Sequence, residues 1–92
     1  MIRSFHDRDT EAIFKQHRVK RFQSIASVAL RRLVQIDNAE GLRDLAAPPA
    51  NRLESLKGDR AGQYSVRINP QYRVCFRWKS GDAFDVEITD YR

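Results

Sequence analysis

The feature that most limits how this chain can fold is an alternation of apolar and polar residues in its last third. The apolar positions form three runs: Tyr64, Val66 and Ile68; Tyr72, Val74, Phe76 and Trp78; and Phe84, Val86 and Ile88. Because successive side chains of a strand point to opposite faces, a period of two predicts strands that each bury one face. Turn residues separate the runs at positions 69–71 and 80–82. The pattern predicts three antiparallel strands in a meander.

The first half of the chain has a helical period instead. After Ser24, apolar residues from Ile25 to Ile36 recur at three- and four-residue steps, which indicates an amphipathic helix. A shorter helix is predicted before it, with Asp9 as the N-cap and Ile13 on the buried side. Residues 42–45 add a helical turn before two prolines, and residues 2–5 can form an edge strand. We predict one α+β domain over residues 1–92, in which two helices cover one face of the sheet.

The net positive charge of the chain limits the class of molecule that it is expected to bind. The chain has 17 Lys and Arg against 12 Asp and Glu, and most of the cations are arginines, whose planar guanidinium matches phosphate oxygens. A polyanion or an acidic protein is therefore the expected partner, although a small soluble protein can simply be basic. The single cysteine, Cys75, fits a reducing compartment, and no apolar run is long enough for a signal peptide or membrane span. The two histidines lack zinc-binding spacing. We expect a cytoplasmic protein without a metal or other cofactor.

The polar positions of the strands form the candidate site. The period of two places four residues on the sheet face turned away from the helices: Arg67, Arg73, Arg77 and Tyr91. Guanidiniums on adjoining strands repel one another, which favours an anionic ligand. The alternative is a solvated face on which Asp85 and Glu87 neutralise the arginines, each pair contributing at most about 1 kcal/mol. Both interpretations are open from the pattern alone.

Aromatic residues and one loop complete the candidate features. Four aromatic residues lie in the apolar series and are predicted to be core rather than base-stacking groups: Tyr64, Tyr72, Trp78 and Phe84. Tyr91 lies in the polar series, where its ring can stack on a base and its hydroxyl can share a proton with a ribose or phosphate. The loop at residues 56–62 carries Lys57, Arg60 and two glycines. It can approach a phosphate closely, although alone it is typical of an ordinary turn.

Longer motifs connect these residues to a known family. They are NRLESLKGDRAG at 51–62, YSVRIN at 64–69, QYRVCF at 71–76, the opening MIRSF at 1–5 and the close VEITDY at 86–91. Together they resemble the HigB branch of the RelE/ParE toxin superfamily over essentially the whole chain. The resemblance implies a RelE-like fold, in which two N-terminal helices pack on one face of a small mixed, mainly antiparallel sheet. It also implies a type II toxin that cleaves messenger RNA in the ribosomal A site.

The resemblance further implies a mechanism and the residues that carry it. The ribose 2′-hydroxyl attacks the adjacent phosphorus and a 5′-hydroxyl leaves, without a metal. Lys57 and Arg73 match the cations that stabilise the phosphorane. Tyr91 matches the family's C-terminal tyrosine, and Asp90 matches the acidic residue before it. We expect further RNA contacts from Arg60, Arg67 and Arg77, and expect Lys57, Arg73 and Tyr91 to converge on one open patch.

One departure from the family pattern concerns the last residue. Related toxins often end in Asp-Tyr-His, whereas this chain ends in Asp90, Tyr91 and Arg92. Imidazole exchanges a proton near neutral pH, but a guanidinium stays charged and only donates hydrogen bonds. We expect Arg92 to steady the phosphorane while Tyr91 or a water moves the proton. Cleavage should then be weaker or slower, but not lost.

The resemblance also implies partners, and it leaves a second function open. The expected partners are a HigA-like helix-turn-helix antitoxin, messenger RNA on the ribosome, and operator DNA only through the antitoxin complex. The alternative is a non-enzymatic protein, either a ParE-like inhibitor of DNA gyrase or an antitoxin-binding co-repressor. The missing histidine favours that alternative, whereas the presence of Lys57, Arg73 and Tyr91 argues against the gyrase branch.

Overall fold

The computed structural model describes residues 1–91 and consists of a helical layer packed on one sheet. The helices are α1 (Arg8–Phe14), α2 (Ala26–Asn38) and α3 (Leu42–Ala46). The strands are β1 (Glu54–Ser55), β2 (Gln63–Arg67), β3 (Tyr72–Lys79) and β4 (Asp82–Asp90). The sheet has the order β1-β2-β3-β4, with every pair of strands antiparallel. The predicted α+β fold and meander are confirmed, and β1 adds a two-residue strand that is too short to show a period.

The N-terminal segment lies beside β4. Ile2 and Phe5 form isolated parallel bridges to Ala83 and Val86. The His6 amide donates to the Val86 carbonyl at 2.9 Å. The expected edge strand is therefore reduced to two bridges. They give the otherwise antiparallel sheet its mixed character.

Helix α1 begins earlier than predicted, because its N-cap is Asp7 rather than Asp9. The Asp7 carboxylate accepts the Thr10 amide at 3.2 Å and the Thr10 hydroxyl at 2.6 Å. Asp9 lies inside the first turn and instead accepts Arg21 Nε at 2.7 Å. The buried Thr10 hydroxyl also accepts the Ile88 amide at 3.0 Å, which ties α1 to β4. At this helix start Asp7 lies three residues before Thr10, whose backbone amide has no partner within the helix and needs the side-chain acceptor of an N-cap.

The core lies between α2 and the inner face of the sheet. Ala29, Leu33 and Ile36 of α2 are fully buried, as their spacing predicts. The sheet contributes the fully buried side chains Val66, Val74, Phe76 and Val86. Tyr64, Tyr72 and Trp78 pack against this cluster, as predicted. Within residues 1–91, no helix combines the length and apolar character needed to cross a membrane.

Phe84 is the exception among the predicted core aromatics. A β-bulge interrupts the pairing of β3 with β4, so that Glu87 lies opposite Cys75 but Phe84 lies opposite Arg77. The additional residue is Asp85, which has a positive φ of 53°. A bulge inserts one residue and so reverses the alternation beyond it. Phe84 therefore shares the outer face with Arg77, and the prediction that it belongs to the core is wrong.

Candidate functional site

The sheet face turned away from the helices, here called the polar face, is organised in three rows by the strand register. From β2 to β4, the first row is Arg67, Arg73 and Thr89; the second is Ser65, Cys75 and Glu87; the third is Gln63, Arg77 and Phe84. Directly opposed residues of antiparallel strands point to the same side. The prediction that the three strand arginines share this face is confirmed.

Arg73 lies on the polar face but is buried, at 9% exposure. Its Nε donates to Ser65 Oγ at 2.6 Å, and its Nη2 donates to the Arg52 carbonyl at 2.6 Å and the Ser65 carbonyl at 3.3 Å. Its Nη1 lies 3.8 Å from Glu54 Oε1. The expectation of one open patch is therefore wrong for this residue. A guanidinium in an inner strand finds acceptors on the neighbouring strands, and buried donors require such partners.

Tyr91 extends beyond β4, and its hydroxyl turns back onto the polar face. The hydroxyl oxygen lies 3.6 Å from Cys75 Sγ, and either atom can donate. The Tyr91 amide donates to the Gln71 carbonyl at 2.6 Å, which fixes the chain end beside the β2–β3 turn. The side chain is 41% exposed although its hydroxyl contacts a buried cysteine. The ring therefore remains accessible to a base while its polar end lies over β3.

The surroundings of the Tyr91 hydroxyl keep it protonated. Partial burial and the contact with Cys75 raise the pKa of Tyr91 to about 12, while the positive charges of Arg60 and Arg73 act to lower it. Both guanidiniums are therefore within electrostatic range of this oxygen. At neutral pH the phenol can donate a hydrogen bond or a proton, but it is a poor base.

This pKa predicts a loss of stability at high pH. A phenol has a pKa near 10 when unfolded, and that of Tyr91 is about 12 in the folded chain. The contribution is thus fully present below pH 10 and is lost as the pH rises through 12. We expect Tyr91→Phe to remove a phenolate absorbance step near pH 12 and to flatten the fall in melting temperature over this interval. Identical absorbance titrations of the two proteins would contradict the assignment.

The loop between β1 and β2 carries two further cations. Lys57 is exposed and immediately precedes the short 3-10 turn Gly58–Arg60. Arg60 Nη1 donates to Glu87 Oε1 at 3.2 Å and to Gln63 Oε1 at 3.1 Å. The first of these bonds joins the loop to β4. The loop therefore reaches across the polar face toward the row that contains Cys75, rather than standing apart as an ordinary turn.

Arg60 is held in its charged form. Burial acts to lower the pKa of Arg60, but its electrostatic interactions with Cys75, Glu87 and Tyr91 and its hydrogen bond to Glu87 together outweigh burial and raise the pKa. Of these side chains, Cys75 also contacts the Tyr91 hydroxyl. We call Arg60, Arg73, Cys75, Glu87 and Tyr91 the central cluster.

The other predicted residues lie around the central cluster or outside it. Arg67 and Arg77 are on the polar face, in the first and third rows. Asp90 pairs with Tyr72, so it points to the helix-covered side, and its Oδ2 accepts Gln71 Nε2 at 3.1 Å. Asp90 thus supports the segment that leads into Tyr91. The role predicted for Arg92 lies outside the described residues.

Sequence reasoning did not identify Ser65 and Cys75 as members of the site. Both are fully buried and lie opposite each other on β2 and β3. The available signal was two small residues in the polar series, which leave room for a guanidinium and a phenol. His6 was considered only as a metal ligand, but its Nε2 lies 3.9 Å from Glu87 Oε2. Within residues 1–91, no three His, Cys, Asp or Glu side chains cluster as metal ligands would.

Comparison with known families points to the same group as the sequence motifs. The family model of HigB-like toxins, described as the RelE-like toxin of type II toxin-antitoxin system HigB, matches residues 3–91. Toxin HigB-1 of Vibrio cholerae serotype O1 is 33% identical over 94 residues, which cover 100% of this chain and 99% of that protein. Endoribonuclease HigB of Proteus vulgaris is 35% identical over 60 residues, covering 65% of this chain and 64% of its own.

Solved structures support the fold. The YoeB-YefM toxin-antitoxin heterotetramer from Staphylococcus aureus contains a chain with a TM-score of 0.58 and 17% identity, covering 100% of this chain and 98% of that one. The YoeB/ParE toxin from Agrobacterium tumefaciens has a TM-score of 0.51 and 18% identity, with 96% of each chain covered. The predicted RelE-like architecture is confirmed.

Proposed function

The chain belongs to the HigB-like family of RelE-like toxins from type II toxin-antitoxin systems, and from this premise we propose that it is an endoribonuclease. Its substrate is messenger RNA in the ribosomal A site. The cut is made by the RNA's own 2′-hydroxyl, without a metal. The relative named Endoribonuclease HigB supports the reaction class.

The observation that carries the proposal is the convergence of charge on the Tyr91 hydroxyl. Arg60 and Arg73 act electrostatically on this oxygen, and the Tyr91 ring beside it is accessible. A phosphorane carries more negative charge than the phosphodiester from which it forms. Preorganised cations and a neutral hydrogen-bond donor therefore stabilise it more than they stabilise the substrate.

The burial of Arg73 changes its proposed role. Enclosed by Ser65, Arg52 and Glu54, its guanidinium acts through its field and holds the strands that carry the cluster. Arg60, whose side chain is 33% exposed, and the exposed Lys57 are then the cations that contact the phosphate. Asp90 is a positioning residue for Tyr91, through Gln71.

The proposed reaction needs one proton removed and one delivered. The 2′-oxygen bonds to phosphorus as the bond from phosphorus to the 5′-oxygen breaks, which leaves a 2′,3′-cyclic phosphate and a 5′-hydroxyl. A phenol with a pKa of about 12 is protonated at neutral pH and is still a stronger acid than the leaving alcohol, so Tyr91 delivers the proton to the leaving oxygen. Water receives the proton of the 2′-hydroxyl, since Arg92 stands where related toxins often have histidine. Cleavage is therefore slow relative to toxins that retain the imidazole.

The proposed partners follow from the family. Structural neighbours are found in toxin-antitoxin complexes. We infer that a HigA-like helix-turn-helix antitoxin neutralises this chain and that the pair contacts operator DNA through the antitoxin. Cleavage on the ribosome places the reaction in the cytoplasm.

The test is chemical. Purified protein added to ribosomes programmed with a defined message should cut it within the A-site codon. The upstream fragment should end in a cyclic or 3′ phosphate and the downstream fragment in a 5′-hydroxyl. A supercoiling assay with DNA gyrase serves as the parallel control and should show no inhibition. An intact message at saturating protein, together with inhibited supercoiling, would replace the proposal with the gyrase alternative.

A further inference from the structure

A groove on the polar face lies outside the central cluster. It is open, has a volume of about 560 Å³, and is lined by Gly62, Arg77, Trp78, Lys79 and Phe84 among others. Clefts of this size commonly hold small organic groups. The sequence assigned Phe84 to the core, and the reaction proposed above does not use it. Neither the core nor the proposed reaction therefore explains why Phe84 lines this groove.

The bulge at Asp85 creates the groove. Its amide donates to Ser4 Oγ at 2.9 Å, which fixes the additional residue against the N-terminal segment. Ala83 then takes the fully buried position beside Trp78. Phe84 is placed next to Arg77 on the outside of the sheet. An aromatic ring is thus presented among cations by a specific backbone irregularity, and bulges often re-aim a side chain next to functional sites.

The lining of the groove suits a nucleotide. Arg77 and Lys79 are exposed, and Phe84 is only partly buried. Arg77 Nε lies 3.6 Å from Asp85 Oδ2, but both side chains are about half exposed, so this ion pair is weak and exchangeable. Gly62 lies beside this guanidinium, since a Cβ at position 62 would be in ordinary van der Waals contact with Arg77 Nη1, at 3.4 Å. An aromatic platform with cations beside it is the usual arrangement for binding single-stranded nucleic acid.

The groove lies two residues along β3 from the central cluster. Arg77 follows Cys75 by two residues on β3, which corresponds to about 7 Å along a strand. Cys75 is the residue that the Tyr91 hydroxyl contacts. This distance lets a nucleotide next to a phosphate at Tyr91 reach the groove.

We propose that the groove binds the nucleotide adjacent to the cleaved linkage of a single-stranded RNA. Its base stacks on Phe84, and its phosphate is held by Arg77 and Lys79. The inference rests on the proposed ribonuclease function and adds a subsite to it. If Arg77 and Asp85 form only a solvated surface ion pair, Phe84 has no role in RNA binding. The RNA affinity of variants at Phe84 therefore separates the two explanations.

Binding is read from the fluorescence anisotropy of a labelled RNA, because the Trp78 side chain packs against the core on the other face of the sheet. The probe is a six-nucleotide 2′-O-methyl RNA, which has no free 2′-hydroxyl and is not cut. We expect its anisotropy to rise when it binds the protein. Phe84→Leu should weaken binding about tenfold, as for loss of one stacked base, and Phe84→Tyr should retain it. Arg77→Ala should reduce the salt dependence of binding by about one phosphate contact, whereas Arg43→Ala on α3 should not.

The outcomes separate the groove from the ribonuclease. Wild-type protein that cuts message on the ribosome, while Phe84→Leu binds the probe as tightly as wild type, overturns the groove alone. Cutting without any binding of the probe has the same consequence. Protein that neither binds the probe nor cuts message overturns both proposals. Melting temperatures of all variants establish that the fold is retained.

Discussion

Replacement of Arg73 by methionine is expected to lower the melting temperature by roughly 8–32 °C. The substitution leaves Ser65 Oγ and the Arg52 carbonyl without the donors that now reach them at 2.6 Å. Each buried polar group left unsatisfied costs about 1–3 kcal/mol, so we expect a loss of about 2–4 kcal/mol in the free energy of unfolding. For a domain of this length, about 1 kcal/mol corresponds to a shift of roughly 4–8 °C.

The matched control is Arg67→Met. Arg67 lies directly opposite Arg73 on β2 and is half-buried, and within residues 1–91 its guanidinium makes no hydrogen bond or ion pair. We expect its replacement to change the free energy of unfolding by less than about 1 kcal/mol. Equal melting temperatures for the two variants would contradict the internal role of Arg73.

The second large effect is expected on catalysis. Lys57→Ala should slow ribosome-dependent cleavage by about 100-fold or more, the usual consequence of removing one preorganised group that stabilises transition-state charge. Because Lys57 is exposed, the melting temperature should change little. Rates measured at saturating ribosomes separate this effect from weaker binding, since a lost transition-state contact lowers kcat as well as kcat/KM.

Lys20→Ala is the control for the loss of one positive charge. Lys20 is also exposed, and it lies in the turn before α2 rather than in the loop that reaches Glu87. Its removal should leave the cleavage rate within a factor of about two. If both lysine variants lost activity equally, Lys57 would contribute only to overall charge and not to the reaction.

The fold was predictable where the pattern depends on regular geometry. The inward positions of β2 and β3 follow from a period of two, and those of α2 follow from helical spacing, because each period maps a residue onto a face without knowledge of its partner. The N-cap lies two residues earlier than predicted, since Asp7 and Asp9 carry the same chemistry. The position of Thr10 distinguishes them, because Thr10 donates to Asp7 while its hydroxyl accepts the Ile88 amide.

The face of the strand arginines was predictable, but the membership of Ser65 and Cys75 and the depth of Arg73 were not. The period of two placed Arg73 on the correct face. Its burial, however, depends on Ser65, Arg52 and Glu54, which come together only when β1 pairs with β2. Phe84 was assigned to the wrong face because a period of two assumes a strand without a bulge. The additional residue at Asp85 is stabilised by Ser4, from the other end of the chain. Both differences arise from contacts that are distant in sequence.

We propose that the polar face helps an RNA strand cut itself through its own sugar oxygen. The most direct measurement uses ribosomes programmed with two messages that differ in one atom, a ribose or a 2′-deoxyribose immediately 5′ to the mapped cut. We predict that the ribose message is cleaved by wild-type protein and that the deoxy message remains intact at that position. Equal cleavage of the two messages would contradict the claim, because the attacking oxygen would then come from elsewhere.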